Sequence, residues 1–424
     1  MSETQSAQAL GLALVALIIL NTAIKIWLNA RQIRHVQQHR AQVPVQFSHT
    51  IGLAAHQKAA DYTRAKGRLG LVDIGLSAVV LLAWTLFGGL SWLDQSLTAW
   101  VGGGFLQQIA LLLSFGAIGA VIDLPLGLYQ TFVIEERFGF NKTTWRLWLS
   151  DLAKSLMIGL AIGVPLIATM LWLMQAAGSW WWLWAWLILT AFNLLMMVIY
   201  PTWIAPLFNT FSPLEDASLK TRVENLMKRC GFSANGLYVM DGSRRSGHAN
   251  AYFTGFGSAK RVVFFDTLLT QLSPQEVEAV LAHELGHFRH KHILKRLVGM
   301  FALTLFSLAM LGYLSQQAWF YQGLGVASDP GVARDAQALI LFSLTLPLVS
   351  FFVSPLMSLM SRRHEFEADE FAVRQTSGQD LSSALLKLYE DNASTLTPDP
   401  VYAGFYYSHP DAAQRLSRIA LQAA

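Results

Sequence analysis

The 424-residue chain is short of charge and nearly without cysteine. Only 14% of its residues are Asp, Glu, Lys or Arg, against 53% hydrophobic ones, whereas a soluble protein carries about a quarter charged residues. The excess of apolar residues falls in blocks, which predicts a polytopic membrane protein and not a large soluble core. The single cysteine, Cys230, excludes an internal disulfide and any multi-cysteine metal cluster. The net charge of +4 is small. Its basic residues flank apolar runs and do not mass on one polar domain, so they speak for membrane topology and against nucleic acid as a partner. No basic region precedes the first apolar run and no small-residue cleavage site follows it, so that run is expected to persist as a membrane helix. No internal repeat of a transporter kind is visible, and the glycine-rich DGSRRSGHANAYFTGFG (241–257) is too irregular for a phosphate-binding loop.

What is present in quantity is apolar runs. Seven of them, at roughly 9–28, 69–92, 105–128, 152–175, 180–203, 295–316 and 336–360, approach the ~20 residues that cross a bilayer. Pro347 and Pro355 interrupt the last, which membrane helices tolerate. Lysine and arginine set the orientation. Residues 31–70 hold Arg31, Arg34, Arg40, Lys58, Arg64, Lys66 and Arg68 against Asp61 alone, and 129–151 and 204–294 are also basic. The segments 93–104, 176–179 and 317–335 hold little charge beyond Asp94, Asp329, Arg334 and Asp335. The two sets alternate, which puts the N-terminus outside, the C-terminus in the cytoplasm and the tryptophans of 180–186 at the outer interface. The expected division is 1–203 with five spans and a basic cytoplasmic loop at about 29–68, a cytoplasmic insert at 204–294, two spans in 295–360 and a cytoplasmic segment at 361–424. Asp73 and Asp123, inside spans, are expected to face water or protein, because a carboxylate in lipid is costly.

The insert reads as a small α/β unit. PLFNTFSPLED (206–216) is expected to be loop, 216–230 has helical spacing, and GLYVM (236–240) and RVVFF (261–265) are strand candidates. LSPQEVEAVLAHELGHF (272–288) follows. Ser273 suits an N-cap, Pro274 the first helical position, and Glu276 completes a capping box. On that helix His283 and His287 lie one turn apart on one face and can bind a single zinc ion. Glu284, turned ~100° off the ligand line, can reach a water that the ion activates and take its proton. His290 and His292, mixed with Arg289, Lys291, Lys295 and Arg296, are expected to belong to a basic membrane edge and not to the metal site.

Such a site needs a third protein ligand and an open fourth position. SRRHEFEADEFAVRQ (361–375) follows the last span. Glu365 can supply the ligand, and Asp369, one turn on, can accept a hydrogen bond from a ligand imidazole and fix its tautomer. Glu367 lies on another helix face and His364 is misdirected. An antiparallel pair of spans six and seven would bring both halves of the site to one depth at the cytoplasmic face.

The sequence resembles the type I CAAX prenyl endopeptidases, integral-membrane zinc metalloproteases with an H-E-x-x-H motif. EERFGFNKTT (135–144), PLFNTFSPLE (206–215), DGSRRSGHANAYFTGFG, VVFFDTLL (262–269), HELGH, SRRHEFEADEFA and YSHPDAAQR (407–415) each resemble a family block, in the family's order. The resemblance implies one Zn2+ per chain held by His283, His287 and Glu365, with Glu284 as catalytic base. It implies that Asn250 holds the substrate backbone beside an edge strand and that His409 and Arg415 stabilise the oxyanion. The implied fold is mainly α: seven membrane helices enclosing a water-filled chamber, with the cytoplasmic α/β zinc-protease insert closing it. The expected activity is peptide-bond hydrolysis near the cytoplasmic membrane face, on peptide or protein substrates that are lipid-modified or membrane-bound. The short loops suggest a bacterial inner membrane, where a general quality-control protease without a prenyl requirement is the alternative. A transporter or channel would use the buried acids but would leave HELGH unexplained, and an inactive scaffold would not retain every catalytic side chain.

Overall fold

A computed structural model describes residues 2–232, 236–254, 261–326 and 334–423. The first half is helical: α1 (Glu3–Gln38), α2 (Leu53–Trp84), α3 (Gly89–Val101), α4 (Phe105–Tyr129), α5 (Trp145–Ala176), α6 (Trp181–Ile199) and the short α7 (Ala205–Phe208). Then come β1 (Phe211–Pro213), α8 (Ala217–Arg229), β2 (Leu237–Met240), β3 (Ala251–Thr254), β4 (Arg261–Phe265), α9 (Asp266–Gln271) and α10 (Pro274–Arg289). The remainder is α11 (His292–Leu314), α12 (Ala318–Gly323), α13 (Asp335–Ser350), α14 (Ser354–Gln375), α15 (Gly378–Asp391), α16 (Pro400–Tyr406) and α17 (Ala412–Ala423).

Six helical runs are long and apolar enough to cross a membrane, and α13 with α14 makes a seventh if the pair is one span. That seventh span, expected over 336–360 with interruptions at Pro347 and Pro355, is bent: α13 and α14 meet at 64°. Pro355 is the cause, because it cannot donate to the Phe351 carbonyl and its ring crowds that turn. Pro347 lies inside α13 without ending it. Only 6% to 17% of the most apolar window of each unbroken span is buried. Such helices turn most of their surface to lipid or to a hollow interior, not to one another. A cavity of about 380 Å³ opens between α1, α2, α4 and α13, lined by Asn21, Lys25, Asp73, Ser77 and Asp123 among others. Both acids expected to face water line it.

Several segments expected to be loops carry helix or strand. The basic stretch at 29–68 is mostly helix, because α1 runs on to Gln38 and α2 begins at Leu53. Ion pairs hold these extensions: Arg31 donates to both carboxylate oxygens of Asp399 at 3.2 and 3.0 Å, and Arg40 to both of Asp61 at 2.8 Å. The segment 93–104 contains most of α3, whose Leu90 and Leu93 are buried in the core between the spans. PLFNTFSPLED holds α7 and β1. Asp329 and residues 255–257 lie outside the described residues.

The polar part is one unit drawn from two stretches of chain. Its sheet has the order β1-β2-β4-β3, with β2 and β4 parallel and the other pairs antiparallel. Both strands predicted from their β-branched and aromatic residues, β2 and β4, lie at its centre, and β3 forms an edge. Val262 and Phe264 of β4 share a core with Val277, Leu281 and Leu285 of α10, and with Ala372, Leu381 and Ala384 of α14 and α15. The insert and the C-terminal segment, expected as two domains, therefore fold around a common centre. Arg245 ties this unit to the spans by donating twice to Asp151 of α5, at 2.8 and 3.0 Å.

Candidate metal centre

The helix that carries HELGH begins as its sequence predicts. Ser273 caps α10, Glu276 closes the capping box, and Pro274 occupies the first turn. Glu276 Oε2 also accepts from Lys387 at 2.8 Å and Oε1 from the Ser383 hydroxyl at 2.6 Å, which joins the start of α10 to α15. Burial alone would raise this carboxyl, but these hydrogen bonds outweigh it and hold it down to about 2. Val277, Leu281 and Leu285 pack into the shared core.

α14 lies directly against α10, and Gly286 permits the approach. A Cβ there would come within 2.9 Å of the Ala368 Cα and 3.1 Å of its carbonyl oxygen. The glycine of HELGH is thus a contact point between the two halves of the site.

At this crossing three donors converge. His283 Nε2 and His287 Nε2 are 3.3 Å apart. Glu365 Oε2 is 3.5 Å from His283 Nε2, and Glu365 Oε1 is 3.3 Å from His287 Nε2. Donors held ~2.0–2.1 Å from a tetrahedral zinc lie ~3.3–3.4 Å from one another, so the spacing and the N, N, O donor set fit that ion. The charge balance fits as well. Glu365 and Asp369 supply two negative charges to this buried spot, and Arg415 one positive charge. Burial alone would lower the His283 imidazole, but its hydrogen bonds to Asp369 and Glu365 prevail and push it up to about 9. The surroundings favour a positive centre. Glu365 Oε2 also has His409 Nδ1 2.7 Å away and Arg415 Nη1 3.8 Å away.

Behind the donors, each imidazole has a partner. His283 Nδ1 lies 2.8 Å from Asp369 Oδ1, as the spacing of Glu365 and Asp369 on one helix predicts. Arg415 then grips that same Asp369, donating from Nε at 2.9 Å and from Nη2 at 2.6 Å. His287 Nδ1 lies 3.0 Å from His292 Nδ1, and His292 Nε2 lies 2.8 Å from Glu367 Oε2. Sequence reasoning missed this second partner set: His292 looked like part of a basic rim, and Glu367 was set aside as facing elsewhere.

The other expected residues are distributed as follows. Glu284 is half-buried on α10 next to His283. His409 is exposed and beside Glu365. Arg415, expected to face a developing oxyanion, has its Nε and Nη2 committed to Asp369, and its Nη1 is 3.8 Å from Glu365 Oε2. Asn250 is exposed just before the edge strand β3, where its side-chain oxygen accepts from the Ala251 amide at 2.9 Å. The loop before it is pinned by Asn392, whose Oδ1 accepts from the Ala249 amide at 3.1 Å. A cavity of about 820 Å³ adjoins the centre, with Tyr62, His248, Tyr389, Tyr407, His409 and Arg415 among its lining residues.

Comparison with known proteins agrees with this geometry. A family model for the CAAX prenyl protease N-terminal region, five membrane helices, matches residues 32–210, and the model of peptidase family M48 matches residues 213–422. CAAX prenyl protease 1 of Saccharomyces cerevisiae is 37% identical over 325 residues, covering 74% of this chain and 72% of that protein. The CAAX prenyl protease 1 homolog of Caenorhabditis elegans is 33% identical over 434 residues, covering 95% and 96% respectively. The crystal structure of S. mikatae Ste24p superposes with a TM-score of 0.90 at 31% identity, covering 97% of this chain and 99% of that one. A helical membrane architecture, the small sheet and the H-E-x-x-H helix thus fall together in one chain, which belongs to peptidase family M48 and is a multi-pass membrane metalloprotease of the CAAX prenyl protease 1 type.

Proposed function

We propose that His283, His287 and Glu365 hold one zinc ion and that Glu284 is the base for peptide hydrolysis. The convergence of the three donors at 3.3 to 3.5 Å supports this most directly. A bound zinc ion supplies a Lewis acid and lowers the pKa of a water in the site. Glu284 takes the proton from that water. Asn250 and the edge of β3 bind the substrate backbone by strand addition. His409, exposed beside Glu365, donates to the oxygen on which negative charge develops, and the positive charge of Arg415 favours the same charge from behind. Arg415 also holds Asp369, and through it the tautomer of His283.

The relatives are named for CAAX prenyl substrates. For this chain we propose peptide or protein substrates that reach the centre through the adjoining cavity, with the site and C-terminus in the cytoplasm and the N-terminus outside. The lysine and arginine distribution supports that orientation, and the short loops support a bacterial inner membrane. Glu284→Gln is expected to keep one zinc per chain, read by metal analysis, while peptide cleavage falls at least about 100-fold. Undiminished cleavage in that variant would remove the mechanism. A prenylated peptide compared with its unprenylated twin tests the substrate: equal kcat/KM assigns the enzyme to general cleavage of membrane proteins.

A further inference from the structure

His292 carries an inference that rests on the zinc reading and extends it. Lys291 adopts φ 58, a left-handed conformation, and reverses the chain between α10 and α11. His292, the first residue of α11, is thereby folded under α10 and is 4% exposed. The ring of His364 stacks on it at 4.0 Å and 12°, which fixes its plane.

The protons in this row can be assigned in sequence. The two Nδ1 atoms of His287 and His292, 3.0 Å apart, can share only one hydrogen between them. If His287 gives its Nε2 lone pair to a metal, its Nδ1 carries the hydrogen and donates it. His292 Nδ1 is then the acceptor, so the hydrogen of His292 sits on Nε2 and is donated to Glu367 Oε2 at 2.8 Å. One choice at the metal determines each later position.

We propose that His292 and Glu367 are positioning residues for His287: a two-member relay that holds its tautomer and ring plane, as Asp369 does for His283 in a single step. The relay needs a carboxylate at its far end to make His292 Nδ1 a better acceptor, and it needs that carboxylate on α14, the helix that also carries Glu365. It therefore ties the alignment of His287 to the seating of α14 on α10. Partners of this kind are worth 10–100-fold in metal affinity.

The test uses the full-length protein in detergent. Zinc affinity is measured by competition with a chromophoric chelator, the visible spectrum is taken after cobalt substitution, and kcat and KM are read at saturating zinc. His292→Leu is expected to bind zinc about 10–100-fold more weakly, to shift the cobalt spectrum, and to lower kcat with KM near wild type. His292→Gln, whose amide oxygen can accept from His287, is expected to recover much of the affinity. Because His292 is buried, Glu367→Ala provides the second reading: its half-exposed carboxylate can be removed without opening the core. It is expected to weaken zinc, whereas Glu367→Gln, which keeps an acceptor oxygen but loses the charge, is expected to fall between Glu367→Ala and the wild type. His290→Ala removes a ring stacked on His292 at 5.5 Å and 16° but no nitrogen of the relay, and is expected to leave zinc affinity near wild type. Wild-type affinity and an unchanged cobalt spectrum in both His292→Leu and Glu367→Ala would overturn the relay while leaving the zinc reading intact. A second zinc per chain that disappears in His290→Ala would also overturn it, because that ion would take the Nε2 the relay uses. If the wild type itself takes up no zinc, the metal reading fails first.

Discussion

The two imidazoles of HELGH are supported in opposite ways. Behind His283 the partner is a carboxylate, Asp369, 1% exposed and gripped by the guanidinium of Arg415, itself 6% exposed. Behind His287 the partner is a second imidazole, and the closing carboxylate of Glu367 has a side chain 45% exposed. One side is a dry, charged clamp and the other a chain with a wet end. The difference teaches where the centre is brittle. A buried charge that loses its partner has no water to turn to, whereas an exposed one does.

The strongest way to break the comparison is on the dry side. Asp369→Ala leaves the buried Arg415 with only Glu365, 3.8 Å away, near its charge, a loss expected to cost about 3–5 kcal/mol. The loss is read as a lower denaturation midpoint together with lost zinc. The replacement of Glu367 is expected to lower metal affinity with little change in that midpoint. Equal loss of stability in both variants would erase the contrast. Gly286→Ala strikes between the two sides. The added methyl meets the backbone of Ala368, so α10 and α14 must separate, at about 1–3 kcal/mol. Both imidazoles are then expected to lose alignment with Glu365 together, seen as weaker zinc binding with a cobalt spectrum unlike that of either one-sided variant. The smallest effect sharpens the comparison by locating acid lability elsewhere. Glu276, at the start of α10, is held down to about 2, so its contribution to stability is present above its unfolded value of ~4.5 and lost as pH falls from there towards 2. Lys387→Met removes one of its partners. It is expected to raise the pH at which the polar unit unfolds in acid, followed by circular dichroism, while zinc affinity at neutral pH stays near wild type.

Much of this was legible because its causes are local. Six of the seven spans follow from apolar length, α10 from its cap, and the pairing of His283 with His287 from the helical repeat. Glu365 and Asp369 were legible for the same reason, since one turn of helix sets two roles apart. The break between α13 and α14 was harder, because Pro347 and Pro355 look alike in sequence and only Pro355 stands at the bend. What escaped depends on distant chain. Arg415 reaches Asp369 across 46 residues, so its commitment there could not be seen from SHPDAAQR. His292 meets His287 through a left-handed turn at Lys291, where no glycine marks it in the sequence. The surrounding Arg289, Lys295 and Arg296 also disguised a buried ring as part of a surface stripe.

The shared core of the insert and the C-terminal segment has a consequence in time. Ribosomes deliver His283 and His287 first, and α11 and α13 are synthesised before Glu365. A chain arrested at any earlier point lacks the third donor, and lacks Ala372, Leu381 and Ala384, on which α10 closes its core. The order of the polypeptide is therefore a safety catch. The catalytic unit cannot close until its last polar segment has been made.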